Sequence, residues 1–128
     1  MPAPDLNRLR DVRYALLNLH KVLLDAEKAR YEKVHGRIKG TGELLQLVLE
    51  SEWFAWLREI SRFVVEIDEA VANKEEPISD IGVRDFLTRA RMLLTPEEDG
   101  AGFAREYYEA LQRDPDIILA HAVVWRQL

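Results

Sequence analysis

The sequence predicts an all-α protein, an antiparallel helical bundle with four principal helices plus short additional helices. Three observations predict it. Residues 5–35 hold no Gly or Pro and place apolar side chains at spacings of three and four. Residues 43–76 do the same. Capping residues followed by Pro, at Thr95-Pro96 and Asp114-Pro115, mark further helix starts. With 128 residues, 48% hydrophobic and 32% charged, the chain suits one globular domain over residues 1–128 with a single core.

Helix 1 is expected to begin near Asp5, whose carboxylate can cap free backbone N–H groups. Leu9, Val12, Leu16, Leu19, Leu23 and Ala26 form one seam, and Leu17, Leu24 and Tyr31 widen it. So broad a stripe belongs to a bundle rather than to a coiled coil. At 1.5 Å per residue the segment is a rod of about 45 Å, longer than a small globule is wide, which favours self-association. Gly36 supplies the left-handed stop. Three glycines between positions 36 and 42 make a loop, after which Thr41 is expected to cap a new segment with Glu43 in its first turn.

Leu44, Leu45, Leu47, Val48 and Leu49 are apolar nearly all round, which predicts a short buried helix. Ser51 is a suitable cap, so a break is expected near it. The longer helix that follows carries Trp53, Trp56, Leu57, Ile60, Phe63, Val64, Ile67, Ala70 and Val71, and is expected to lie at the centre of the bundle. Asn73-Lys74-Glu75-Glu76-Pro77 reads as a turn, and Ser79 as the next cap, with Ile78 and Val83 placed as a hydrophobic staple. Val83, Phe86, Leu87, Ala90, Leu93 and Leu94 form the buried stripe of that helix. Thr95, Pro96 and Glu98 predict another start, firming over Phe103, Ala104, Tyr107, Tyr108 and Leu111. After Asp114-Pro115, residues 117–125 are apolar except for His121. Such a helix is expected to be covered on all sides, either deep in the bundle or by a second copy.

Composition excludes several chemistries. Without Cys there is no disulfide framework, thiolate metal site or cysteine nucleophile. No apolar run reaches the length of a membrane span, and the opening residues lack a basic region followed by an apolar stretch, so no membrane association and a cytoplasmic location are expected. Net charge is −5, split between +4 for residues 1–40 and −9 for the remainder. The overall sign disfavours nucleic acid, which needs a cationic footprint. The basic first part could instead meet an acidic partner or the acidic part of a second copy.

Candidate site residues are few. His20 and His121 each sit on an apolar face, either as metal ligands or acid–base groups, or as hydrogen-bonded core histidines. Glu32 and His35 stand at i and i+3, half of the pattern used by di-iron carboxylate bundles, but no second Glu-x-x-His exists. Ser51, Ser61 and Ser79 lie in no nucleophile elbow. Arg37, Lys39, Gly40, Thr41 and Gly42 could hold a phosphate or carboxylate, since glycines allow close backbone approach and a helix start presents free N–H groups. In Trp53-Phe54-Ala55-Trp56-Leu57 the aromatic residues cannot all face one core, so Phe54 or Trp56 should lie near the surface. Trp53, Phe54, Trp56 and Trp125 are therefore interface candidates.

The segments Leu19-His20-Lys21-Val22-Leu23-Leu24-Asp25-Ala26-Glu27, Gly42-Glu43-Leu44-Leu45-Gln46-Leu47 and Trp53-Phe54-Ala55-Trp56-Leu57-Arg58 resemble a set of short, uncharacterised bacterial all-α proteins. That resemblance implies a bacterial, cytoplasmic origin and carries over no activity. The expected function is a non-catalytic protein-interaction or assembly module, a homodimer, with no cofactor. The alternatives are a small-ligand or metal-dependent enzyme built on His20 and His121, and an anion-binding regulatory module using Arg37 and Lys39.

Overall fold

Apolar periodicity unbroken by Gly or Pro lets the first helix run from one end of the molecule to the other. The computed structural model describes residues 4–128, and the Met1-Pro2-Ala3 opening, expected to hold no leader, lies outside them. Helix α1 spans Pro4–His35, 32 residues or about 48 Å. It is followed by α2 (Thr41–Glu50), a 3₁₀ segment (Glu52–Leu57), α3 (Arg58–Ala72), α4 (Asp80–Leu93), α5 (Phe103–Arg113) and α6 (Pro115–Gln127). No strand occurs among the described residues, so the chain is all-α, and no helix is long and apolar enough to cross a membrane.

The predicted seam of α1 is the spine of the core. Leu9, Val12, Leu16, Leu19 and Leu23 are each 0% exposed. Burying side chains of this size stabilises the fold by about 2 kcal/mol apiece. Leu17, at the edge of the stripe, stays exposed. Packed against α1 are α6, α4, α3 and the 3₁₀ segment, so α1 rather than the helix after Ser51 occupies the centre. Its length is the reason: one long seam can shelter several short helices at once.

Local signals explain most boundaries. Gly36 stops α1 at φ 90°, and its N–H donates to the Glu32 carbonyl at 3.0 Å. Ile38, buried between exposed Arg37 and Lys39, pins the loop. Thr41 does not cap α2. Gly40 takes that position at φ 141°, and the Glu43 carboxylate folds back to accept the Lys39 N–H at 3.1 Å. The chain breaks at Ser51 as expected, with the Ser51 hydroxyl accepting the Trp53 N–H at 3.2 Å. Arg58 donates to the carbonyls of Val48 and Ser51 at 3.2 and 3.3 Å, satisfying acceptors at the end of α2.

Two helix expectations fail. Although apolar nearly all round, α2 has no buried residue, because only the 3₁₀ segment packs closely against it. The Thr95-Pro96 signal starts no helix. The Thr95 hydroxyl donates backward to the Arg91 carbonyl at 2.7 Å, and residues 95–102 form a loop before α5. Gly100 sits where an added Cβ would come within 2.8 Å of Glu97, so this loop is tightly wound. Ser79 and Asp114 do cap as read, accepting the N–H groups of Gly82 and Asp116 at 3.1 and 2.9 Å. At the far end, Arg8 of α1 and Arg91 of α4 both donate to the Leu128 carbonyl, tying the end of α6 to two other helices.

Candidate functional site

Helical geometry turns Glu27 of α1 inward, four residues after buried Leu23. It is the one buried charged side chain among the described residues, 2% exposed. The Arg30 Nη1 donates to both its oxygens at 2.9 and 3.0 Å, and the Arg113 Nη2 from α5 reaches Oε1 at 3.2 Å. Taking such a group out of water costs several kcal/mol, and an apolar replacement of the whole cluster is often no less stable. The cluster is therefore weak evidence for stability, and its position is informative. Glu27 and Arg30 line the floor of a cleft of ≈ 640 Å³ between α1, the 3₁₀ segment and the start of α5.

Aromatic rings wall this cleft. The 3₁₀ winding eclipses positions three apart, so Phe54 and Leu57 both turn into the core at 0% exposure. This overturns the interface expectation for Phe54. Trp53 and Trp56 are left half-buried along the cleft. Trp53 lies under the Arg30 guanidinium at 5.3 Å and meets Tyr31 and His35 edge-on. Its Nε1–H is buried without a hydrogen-bond acceptor among the described residues. Trp56 packs on Phe103 at 5.6 Å, Phe103 stacks on Tyr107, Tyr107 meets His121, and His121 stacks on Trp125. This ring ladder leads from the cleft to α6, where Trp125 is 41% exposed.

Different elements claim the two apolar-face histidines. His20 Nε2 lies 3.0 Å from the Ser61 hydroxyl of α3, while His121 Nδ1 lies 2.6 Å from the Tyr107 hydroxyl of α5. Burial lowers the pKa of both imidazoles and raises that of the Tyr107 phenol. The lowered pKa favours the neutral imidazole of His121, which shares one hydrogen bond with the Tyr107 hydroxyl through Nδ1. Ser61 and His20 have the spacing of a nucleophile and its base. Yet no third described residue hydrogen-bonds to His20 to orient it as a base. Among the described residues no three His, Asp or Glu side chains converge as metal ligands.

Glu32 and His35 have other partners. Glu32 accepts the Ile38 N–H at 2.9 Å and thereby shapes the loop, and His35 packs on Tyr31 at 4.5 Å. Arg37, Lys39 and Gly40 border a cleft of ≈ 630 Å³ with Lys28 and Glu32, while Thr41 and Gly42 are exposed in the first turn of α2. There the Glu43 carboxylate already supplies the anion that the helix start favours.

The outer face of α6 is different again. Ile117, Ala120 and Val124 are buried against the core, whereas Ile118, Leu119 and Val123 are 50%, 65% and 40% exposed. Full coverage of α6 is thus not found within one chain. Leu119 and Val123 border a groove of ≈ 540 Å³ whose other wall is Val22 and Ala26 of α1. The outward face of α6 and the pairings of Glu27, His20 and His121 all needed the tertiary fold, because residues 117–125 are apolar nearly all round. Compared with protein-family models, with curated proteins and with solved structures, the chain matches none of them.

Proposed function

We propose that the protein is a non-catalytic assembly module in which two copies join through α6 and the adjoining α1 groove. The observation that carries this reading is the continuous apolar face of Ile118, Leu119, Ala122 and Val123, exposed on a helix whose opposite side is core. Charge supports a second copy as the occupant. Asp116 and Arg126 flank the apolar face at opposite ends of α6. Pairing α6 antiparallel with itself about a two-fold axis would bring each Asp116 toward Arg126 of the second copy.

Size supports the reading too. The chain exposes 8263 Å², against roughly 7,000 Å² for a compact monomer of its mass. A stable dimer buries about 600 Å² or more per copy, so the α1 groove must join the α6 face. In the same reading α1, α3, α4 and α6 are the four principal helices of an antiparallel bundle, with α2 and α5 as the short additions. Size-exclusion chromatography with light scattering tests the proposal. Wild type is expected as a dimer at micromolar concentration, and Leu119→Glu with Val123→Glu as a folded monomer. A wild-type monomer throughout that range overturns it.

A further inference from the structure

Away from α6, the cleft above Glu27 combines a concave shape, aromatic walls and an uncompensated negative rim. Glu27 is paired with both Arg30 and Arg113, so this cluster of one carboxylate and two guanidinium groups leaves a single positive charge below the cleft, fewer than the negative charges of its rim. The rim carboxylates differ. Glu52 and Glu106 make no ion pair among the described residues, and Glu59 has only a long 3.5 Å contact with exposed Arg62. One face of Trp53 is occupied by Arg30 and one face of Phe103 by Tyr107, which leaves half-buried Trp56, with what Phe103 still presents to the cleft, as the aromatic lining for a guest. A cation gains from ring faces and from carboxylates together, and its aliphatic stem covers apolar ring surface. An anion would meet three carboxylates there, and a neutral apolar guest would strip water from them without return.

We propose that this cleft binds a small organic ammonium ion of the aliphatic di- or polyamine class, its stem on Trp56 and Phe103 and its ammonium groups held by Glu52, Glu59 and Glu106. The buried Glu27–Arg30–Arg113 cluster serves as a rigid floor that keeps Trp53 in place and Arg30 from filling the cleft. The site is separate from the α6 face and does not depend on dimer formation.

Spermidine is the probe, titrated into the full chain by calorimetry and tryptophan fluorescence. Saturable binding with one amine per chain is expected, weakened by added salt. Trp56→Leu and Glu106→Gln should each weaken it about tenfold, and an uncharged diol of matching length should not bind. Glu59→Gln, at an exposed position clear of the core, should weaken it without changing the thermal melt, so a binding loss cannot be mistaken for unfolding. Absence of saturable binding, or equal affinity in wild type and all three variants, overturns the assignment. A lysine-rich peptide binding more tightly than spermidine at equal charge would also overturn it, because the ammonium source would then be a protein partner.

Discussion

Helices α2 and α6 look alike in sequence and fare differently in the fold. Each is short and rich in Leu, Val or Ile around most of its circumference. Yet α6 buries Ile117, Ala120 and Val124, while α2 buries nothing. Neighbours make the difference: α6 lies along α1, whereas α2 packs closely only on the 3₁₀ segment at its own end, with Leu47 and Val48 half-buried. Terminal ties follow the same division. Arginines from two other helices hold Leu128 at the end of α6, and α2 is held at its end by Arg58 alone. Local hydrophobicity therefore sets how much a helix needs cover, and packing partners decide whether it gets any.

The widest separation between the two helices should come from truncating core-facing and outer side chains. Ile117→Ala is expected to cost about 3 kcal/mol in urea unfolding, through lost burial and a residual cavity. Leu49→Ala in α2, at 62% exposure, should change stability by no more than about 0.5 kcal/mol. A loss above about 1 kcal/mol at Leu49 would break the comparison by showing that something covers α2.

A smaller effect is expected from the tie at the end of α6. Arg91→Leu removes one charged donor from the Leu128 carbonyl and leaves Arg8, so a loss of about 1 kcal/mol is expected, with hydrogen exchange quickening first in the last turn of α6. Uniform exchange along α6 would show that the tie holds nothing locally.

The pH dependence sharpens the contrast, because α6 carries a buried-side histidine and α2 carries none. The pKa of His121 is lowered by burial from 6.5, so below about pH 6.5 the unfolded chain binds the proton that the folded chain resists. Stability should hold above that value, fall as the pH drops below it, and level off once the folded-state pKa is passed. His20 adds a slope of the same sign. His121→Gln, which can still hydrogen-bond to Tyr107, should flatten part of the slope in urea melts between about pH 7.5 and 5.5. An unchanged slope would remove His121 from the account. Smallest of all, Leu45→Lys should leave both the melt and the slope unaltered.

Much of the fold is legible residue by residue. The α1 seam, the stop at Gly36, the break at Ser51 and the caps at Ser79 and Asp114 all rest on interactions within a few residues, so they can be read without a fold. Thr95 misleads because its hydroxyl had two local choices, capping forward or bonding back to Arg91, and took the second. Phe54 misleads because an α-helical wheel spreads residues that a 3₁₀ turn aligns. Of the candidate sites, the loop at Arg37 and Lys39 was readable as a loop, whereas the cleft at Trp56 and Phe103 joins residues 47 positions apart and has no local signature.

By itself the sequence determined the class of the fold, the position of nearly every helix and the impossibility of thiol chemistry. Those follow from backbone hydrogen bonding and side-chain spacing within single turns. Only the tertiary structure decided that α1 is the spine, that Glu27 is buried between Arg30 and Arg113, and that α6 shows an apolar face outward. Burial and charge pairing depend on which distant segments come to rest against a residue, and no local pattern carries that information.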